Sequence, residues 1–127
     1  MDNTIVTLLA TVTRTAPDRL EVRCHEGIYW SERSISEILQ ARATLAEGQL
    51  MTVLVVLTED LHFDTETLVT MHYEPEALQV HCRAEAWAVQ NTLNEKIHEL
   101  YFRYFPSPVP SACFLTEQEA IAWLDRQ

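Results

Sequence analysis

Glycine is nearly missing from this chain: Gly27 and Gly48 are the only two in 127 residues. Backbone cradles that wrap a phosphate need several glycines at fixed spacing, so neither a Walker loop nor a dinucleotide fingerprint can be assembled. Cations are also scarce. Nine Lys and Arg stand against 19 Asp and Glu, a formal net charge of −10. A nucleic-acid binder places cations against phosphates and releases counterions, and no basic run or basic helical face is present to do that. The same shortage works against an anionic membrane surface. Three cysteines, Cys24, Cys82 and Cys113, form no Cys-x-x-Cys pair. So sparse and odd a set predicts reduced thiols in a cytoplasmic protein. The opening MDNTIVTLLATVT has no basic segment before its apolar one, and no signal peptide is expected. The run GQLMTVLVVLT is too short to cross a bilayer, so no membrane insertion is expected.

What is present suits one globular domain over residues 1–127, with 47% hydrophobic and 22% charged residues. Residues 4–14 alternate as a strand, Pro17-Asp18 makes a turn, and RLEVRCH alternates again, so the two strands read as a hairpin. EGIYWSE continues as an extended or edge segment. Ser34 with Glu37 forms a capping box, and Ile35, Ile38, Leu39, Arg42, Leu45 and Ala46 then fall at helical spacing before Gly48 ends the helix. The β-branched run at 50–57 predicts an interior strand covered on both faces. A loop, TEDLHFD, leads to a short helix from Thr65 that breaks at Glu74-Pro75, and a second short helix spans 75–82.

Residues 83–90 alternate Ala84, Ala86 and Ala88 with Glu85, Trp87 and Val89. Thr92 with Glu95 is a second capping box, opening a helix over 93–105 whose inward stripe is Leu93, Ile97, Leu100, Tyr101 and Tyr104. PSPVP stops it, SACFL is a last strand, and Thr116 with Glu119 caps a terminal helix. The expected fold is α/β: a mixed five-stranded sheet in the order β-β-α-β-α-β-α-β-α. Strands reached through helical crossovers should lie parallel.

Two stretches carry a resemblance. NEKIHELYFRYFPSPVPSACFLTEQEAIAWL and RLEVRCHEGIYWSERSISEIL resemble the small, stand-alone bacterial SpoIIAA-like proteins of the STAS superfamily, relatives of the anti-sigma factor antagonists. The likeness covers roughly residues 10 to 125. It implies a SpoIIAA-like domain acting as a non-enzymatic regulatory or protein-interaction module with a protein partner. In the antagonists a central strand runs into an Asp-Ser dipeptide whose phosphorylation switches partner binding. LVVLTEDLHFDTETLV lays Asp64-Thr65 on that motif, with Glu66 and Thr67 in place of the usual small residues. Beside this stands the plain alternative that Asp64 or Thr65 is a helix N-cap.

The residues offer little for other chemistries. His62, Asp64, His72, His81 and Cys82 include ligand types for zinc, but their spacing forms no ligand motif. Cys24 and His25 point to opposite faces of a strand, and no catalytic residue, metal site or cofactor is expected. The acids at 58–66 read as a solvated loop. The rival to a regulatory module is a protein binding a small apolar molecule or a lipid through the aromatic helix 93–105. Tyr29, Trp30, Phe102 and Phe105 are a surplus of large rings that either contacts such a ligand or is covered in a homodimer.

Overall fold

The run at 51–56 is buried at every position and forms the middle of a sheet. The computed structural model describes residues 3–63 and 65–127. Its elements in chain order are β1 (Thr4–Val6), β2 (Ala10–Ala16), β3 (Arg19–Cys24), β4 (Tyr29–Trp30), α1 (Glu32–Ala46), β5 (Met51–Val56), β6 (His62–Phe63), α2 (Thr65–Leu68), α3 (Pro75–Gln79), β7 (Cys82–Ala88), α4 (Thr92–Tyr104), β8 (Ser111–Phe114) and α5 (Glu117–Leu124). Six strands form one mixed sheet in the order β1-β2-β3-β5-β7-β8. The first three pair antiparallel, and β3, β5, β7 and β8 run parallel.

The sheet therefore has six strands, not five. The stretch 4–14 is two strands because the chain reverses between them. Thr7 makes that turn: its N–H and its hydroxyl both donate to the Ala10 carbonyl (2.8 and 3.0 Å), and its oxygen accepts from the Ala10 N–H (3.1 Å). A threonine turn leaves none of the Gly or Asn signals by which hairpins are read. The edge segment at 29–30 and the loop at 62–63 also pair, as the small parallel sheet β4-β6.

Two of three expected caps shift. Helix α1 starts earlier, with Ser31 as N-cap in a reciprocal box with Ser34, and Asn91 rather than Thr92 caps α4. Thr116 caps α5 as expected, its oxygen accepting from the Glu119 N–H at 3.2 Å. Gly48 follows α1 at φ +77°, a left-handed position suited to glycine. The two short helices end sooner than expected, at Leu68 and Gln79, and His81-Cys82 lies at a turn and the start of β7 rather than on a helix.

Strand alternation divides the core. On one face Leu54, Val56 and the small Ala84, Ala86 and Ala88 receive α5 through Ala120 and Leu124. On the other, Val22, Val53 and Val55 pack with Ile38, Ala41 and Leu45 of α1. Helix α4 lies on this second face, its rings against Trp87. Its inward side is not the expected stripe: Leu93, Leu100 and Tyr104 are 68%, 47% and 73% exposed. Ile97 and Tyr101 of that stripe do face inward, and Asn94, His98 and Phe102 join them in place of the three exposed residues. Asn94 gains by this, since its amide donates to the Thr58 and Glu59 carbonyls at 3.2 and 2.8 Å. The rotation of the helix satisfies this buried amide as well as placing apolar side chains inward.

Candidate functional site

The alanines of β7 face α5, so the residues between them, Glu85 and Trp87, face α1 and α4. Glu85 is 0% exposed, and Arg42 of α1 meets it there, 1% exposed. The guanidinium Nη1 lies 2.7 Å from Glu85 Oε2. The Tyr73 hydroxyl sits 2.8 and 2.9 Å from the two carboxylate oxygens. Trp87 Nε1 donates to Oε1 over 2.6 Å, and Arg42 Nη1 also donates to the Tyr73 oxygen at 3.3 Å. Burial is the largest single influence on Arg42 and opposes its charge, but Glu85, Tyr73 and Cys82 together outweigh it and hold the guanidinium protonated beyond its usual range. Burial, then Glu85, push the Tyr73 phenol well above its usual value, so it remains a donor.

The carboxylate is well satisfied and the guanidinium is not. Among the described residues, Arg42 Nε and Nη2, both ring nitrogens of His81, and His98 Nε2 have no hydrogen-bond partner. His81 is 3% exposed. Burial and the nearby Arg42 charge push its pKa down to about 4, against a weak opposing pull from the Ala77 carbonyl. Burial alone brings His98 to about 4. Both rings are neutral at pH 7.

Next to this network lies a cavity of about 110 Å³ with walls that are almost wholly carbon. Ile35, Ile38 and Leu39 close it from α1, Val55 and Leu57 from the sheet, and Trp30 and Phe63 from the β4-β6 end. Helix α4 supplies Ile97, His98, Tyr101 and Phe102. The rings form a connected set: His98 lies tilted 4.6 Å from Phe102 and 5.0 Å from Trp87, and Phe102 meets Tyr101 at 5.1 Å and Tyr73 at 5.8 Å. On the outer side a half-polar cleft of about 490 Å³ runs between α1 and residues 71–81.

The residues singled out in the sequence fall in different places. Trp30 and Phe102 are in the cavity wall. Phe105 is half-buried against Tyr101, 5.2 Å away, and Tyr29 is 52% exposed. Thr65 is exposed at the start of α2, and Asp64 lies outside the described residues. Glu59 and Asp60 are exposed, as a solvated acidic loop requires. Burial pushes the Cys24, Cys82 and Cys113 thiols up to about 12, 12 and 11, far from the thiolate form. Among the described residues no three His, Cys, Asp or Glu side chains group to hold a metal ion, and no helix is long and apolar enough to cross a membrane.

Over residues 18–127 the sequence matches a family described as a domain of unknown function, DUF7793. The chain belongs to the DUF7793 family. No curated protein and no solved structure matches it. The matched span begins after β2 and holds every residue of the Arg42–Glu85 network and of the cavity wall. In this DUF7793 chain the sequence alone did not reveal the ion pair. One signal was visible: Arg42 interrupts the apolar stripe of α1, and Glu85 is the single acid of an alanine-rich strand.

Removing one partner leaves a buried charge alone. Arg42→Met is expected to cost about 3–5 kcal/mol, whereas Arg42→Met with Glu85→Leu should recover most of that loss, because the pair is replaced by apolar groups. Urea denaturation of the two single variants and the double variant measures the difference; a double-variant loss equal to the sum of the single losses would show that the pair is not coupled.

Acidification tests His81. Its folded pKa of about 4 lies below the usual 6.5, so the unfolded chain binds more protons between these values. Its contribution is complete above pH 6.5 and is lost as pH falls toward 4, by about 3 kcal/mol. His81→Leu should lose less stability over that interval, read from paired denaturation curves at the two ends; identical pH profiles would remove His81 from the account.

Proposed function

We propose that this protein is a binding module for a small, largely apolar molecule, with no catalytic step of its own. The observation that carries this is the carbon-walled cavity of about 110 Å³ ringed by Trp30, Trp87, Tyr101 and Phe102. A void of this kind forfeits dispersion contacts on all its walls, and an apolar guest restores them. For scale, an apolar cavity of about 150 Å³ takes up benzene and stays dry otherwise. The cavity here suits a single ring or a short branched chain. The raised thiol pKa values and the solvated acids of the 58–60 loop support binding over chemistry.

A second reading, as a regulatory module of SpoIIAA type that works through protein contacts, draws on a different surface. Leu93, Leu100 and Tyr104 form an exposed apolar stripe on α4. Of the four rings expected in a dimer contact, Trp30 and Phe102 are engaged in the cavity wall, so this stripe is the stronger candidate for covering by a second copy. Sedimentation at micromolar concentration tests it. A dimer that Leu100→Glu dissociates supports the reading, and a monomer throughout rejects self-association.

For the binding reading, benzene is the simplest probe. It should shift the NMR indole signals of Trp30 and Trp87, which line the cavity, and leave Trp123, which packs on Phe114 at the opposite face, unchanged. Leu57→Phe adds volume to the cavity wall and should abolish those shifts at a stability change of roughly 1 kcal/mol, since the void absorbs the larger ring. Unshifted tryptophans at benzene saturation would refute the cavity as a binding site.

A further inference from the structure

The carbon-walled cavity and the outer cleft share a wall. Ile35 and Leu39 of α1, with His72 and Tyr73 of the connection between α2 and α3, line both. That connection, 69–74, has no helix or strand. It is held by the Tyr73 hydroxyl on Glu85 and by Tyr101, whose hydroxyl accepts from the His72 N–H at 3.0 Å and donates to the Thr70 carbonyl at 2.8 Å. The volumes differ as a tail pocket and a head pocket would. About 110 Å³ holds one ring, and about 490 Å³ lies in the range that accepts a whole small molecule.

The chemistry of the two spaces differs as well. Glu32 and Glu74 edge the cleft, and no Lys or Arg is among its described lining residues. His81, nearly fully buried, lines the cleft with both ring nitrogens unpartnered, so a neutral imidazole offers one lone pair there. The Arg42 charge behind it is offset by Glu85 at 2.7 Å. An anion in this cleft would face two like charges and gain no cation. An ammonium gains both carboxylates, and its N–H groups match the free imidazole nitrogen.

We propose, building on the apolar-ligand reading above, that the ligand is an amphipathic amine. Its aromatic or short alkyl tail passes between Leu39 and Tyr73 into the apolar cavity, and its ammonium group stays in the cleft beside Glu32 and Glu74. The cavity alone selects the size of the tail. The two carboxylates select the sign of the head.

Four probes on the full chain test this by NMR titration: benzene, propylbenzene, phenethylamine and hydrocinnamate. Phenethylamine should bind about tenfold more tightly than hydrocinnamate, a difference set by the head group alone. Glu32→Gln with Glu74→Gln, both at exposed positions, should remove that advantage and leave propylbenzene binding unchanged. Hydrocinnamate binding as tightly as phenethylamine overturns the amine assignment, as does a preference that persists in the double variant. Benzene binding with none of the longer probes overturns the shared route while the cavity reading survives. If benzene also fails to bind, the cavity reading falls and this proposal with it.

Discussion

The Arg42–Glu85 pair is the constraint on which one whole face of this protein depends. A carboxylate at the centre of a parallel sheet has no water to solvate it. The desolvation cost of such a charge is several kcal/mol after relaxation, and the sheet's own hydrogen bonds offer it nothing. Glu85 is tolerated because Arg42, Tyr73 and Trp87 all reach it. Three separate segments are thereby tied to one side chain: α1, the α2–α3 connection and β7 itself. The opposite face of the same strand needs no such arrangement. Alanines let α5 approach closely, and apolar burial suffices there.

Holding three segments by a polar anchor has a packing consequence. The positions of α1 and of Tyr73 are set by hydrogen-bond geometry, which is directional, rather than by closest apolar contact. Asn94 exerts the same kind of control on α4 through the Thr58 and Glu59 carbonyls. Between these polar fixtures Phe102 meets the rings of Trp87 and Tyr101 edge-on, and with Trp30 they do not close the space completely. The cavity is the remainder of a core positioned by its polar members. It lies next to the irregular connection at 69–74.

Much of the scaffold was legible in the sequence, and for identifiable reasons. The interior strand β5 is a continuous β-branched run, which only a doubly covered strand accommodates. Helix α5 announced itself through Thr116 and Glu119. Caps at α1 and α4 were displaced because capping residues crowd those junctions: Ser31 competes with Ser34, and Asn91 with Thr92. On α4 the stripe is right at Ile97 and Tyr101 and wrong at Leu93, Leu100 and Tyr104, because apolar residues surround the helix and periodicity alone does not fix its rotation. Asn94 has its hydrogen-bond partners far away in sequence. The ion pair was half visible for the same reason. Arg42 stood out on an apolar stripe, but nothing local names Glu85 as its partner. Tyr29 and Thr65, singled out by ring count and by resemblance, lie on the exposed surface, and the cavity owes nothing to them.

The central claim is that a dry, ring-lined space exists beside the Arg42–Glu85 pair and accepts an apolar guest. The most direct measurement is a crystal structure under xenon pressure. The account predicts a single strong xenon site bounded by Trp30, Trp87 and Phe102. A space filled instead by ordered waters bonded to Arg42, or a collapsed core with no xenon, would contradict it.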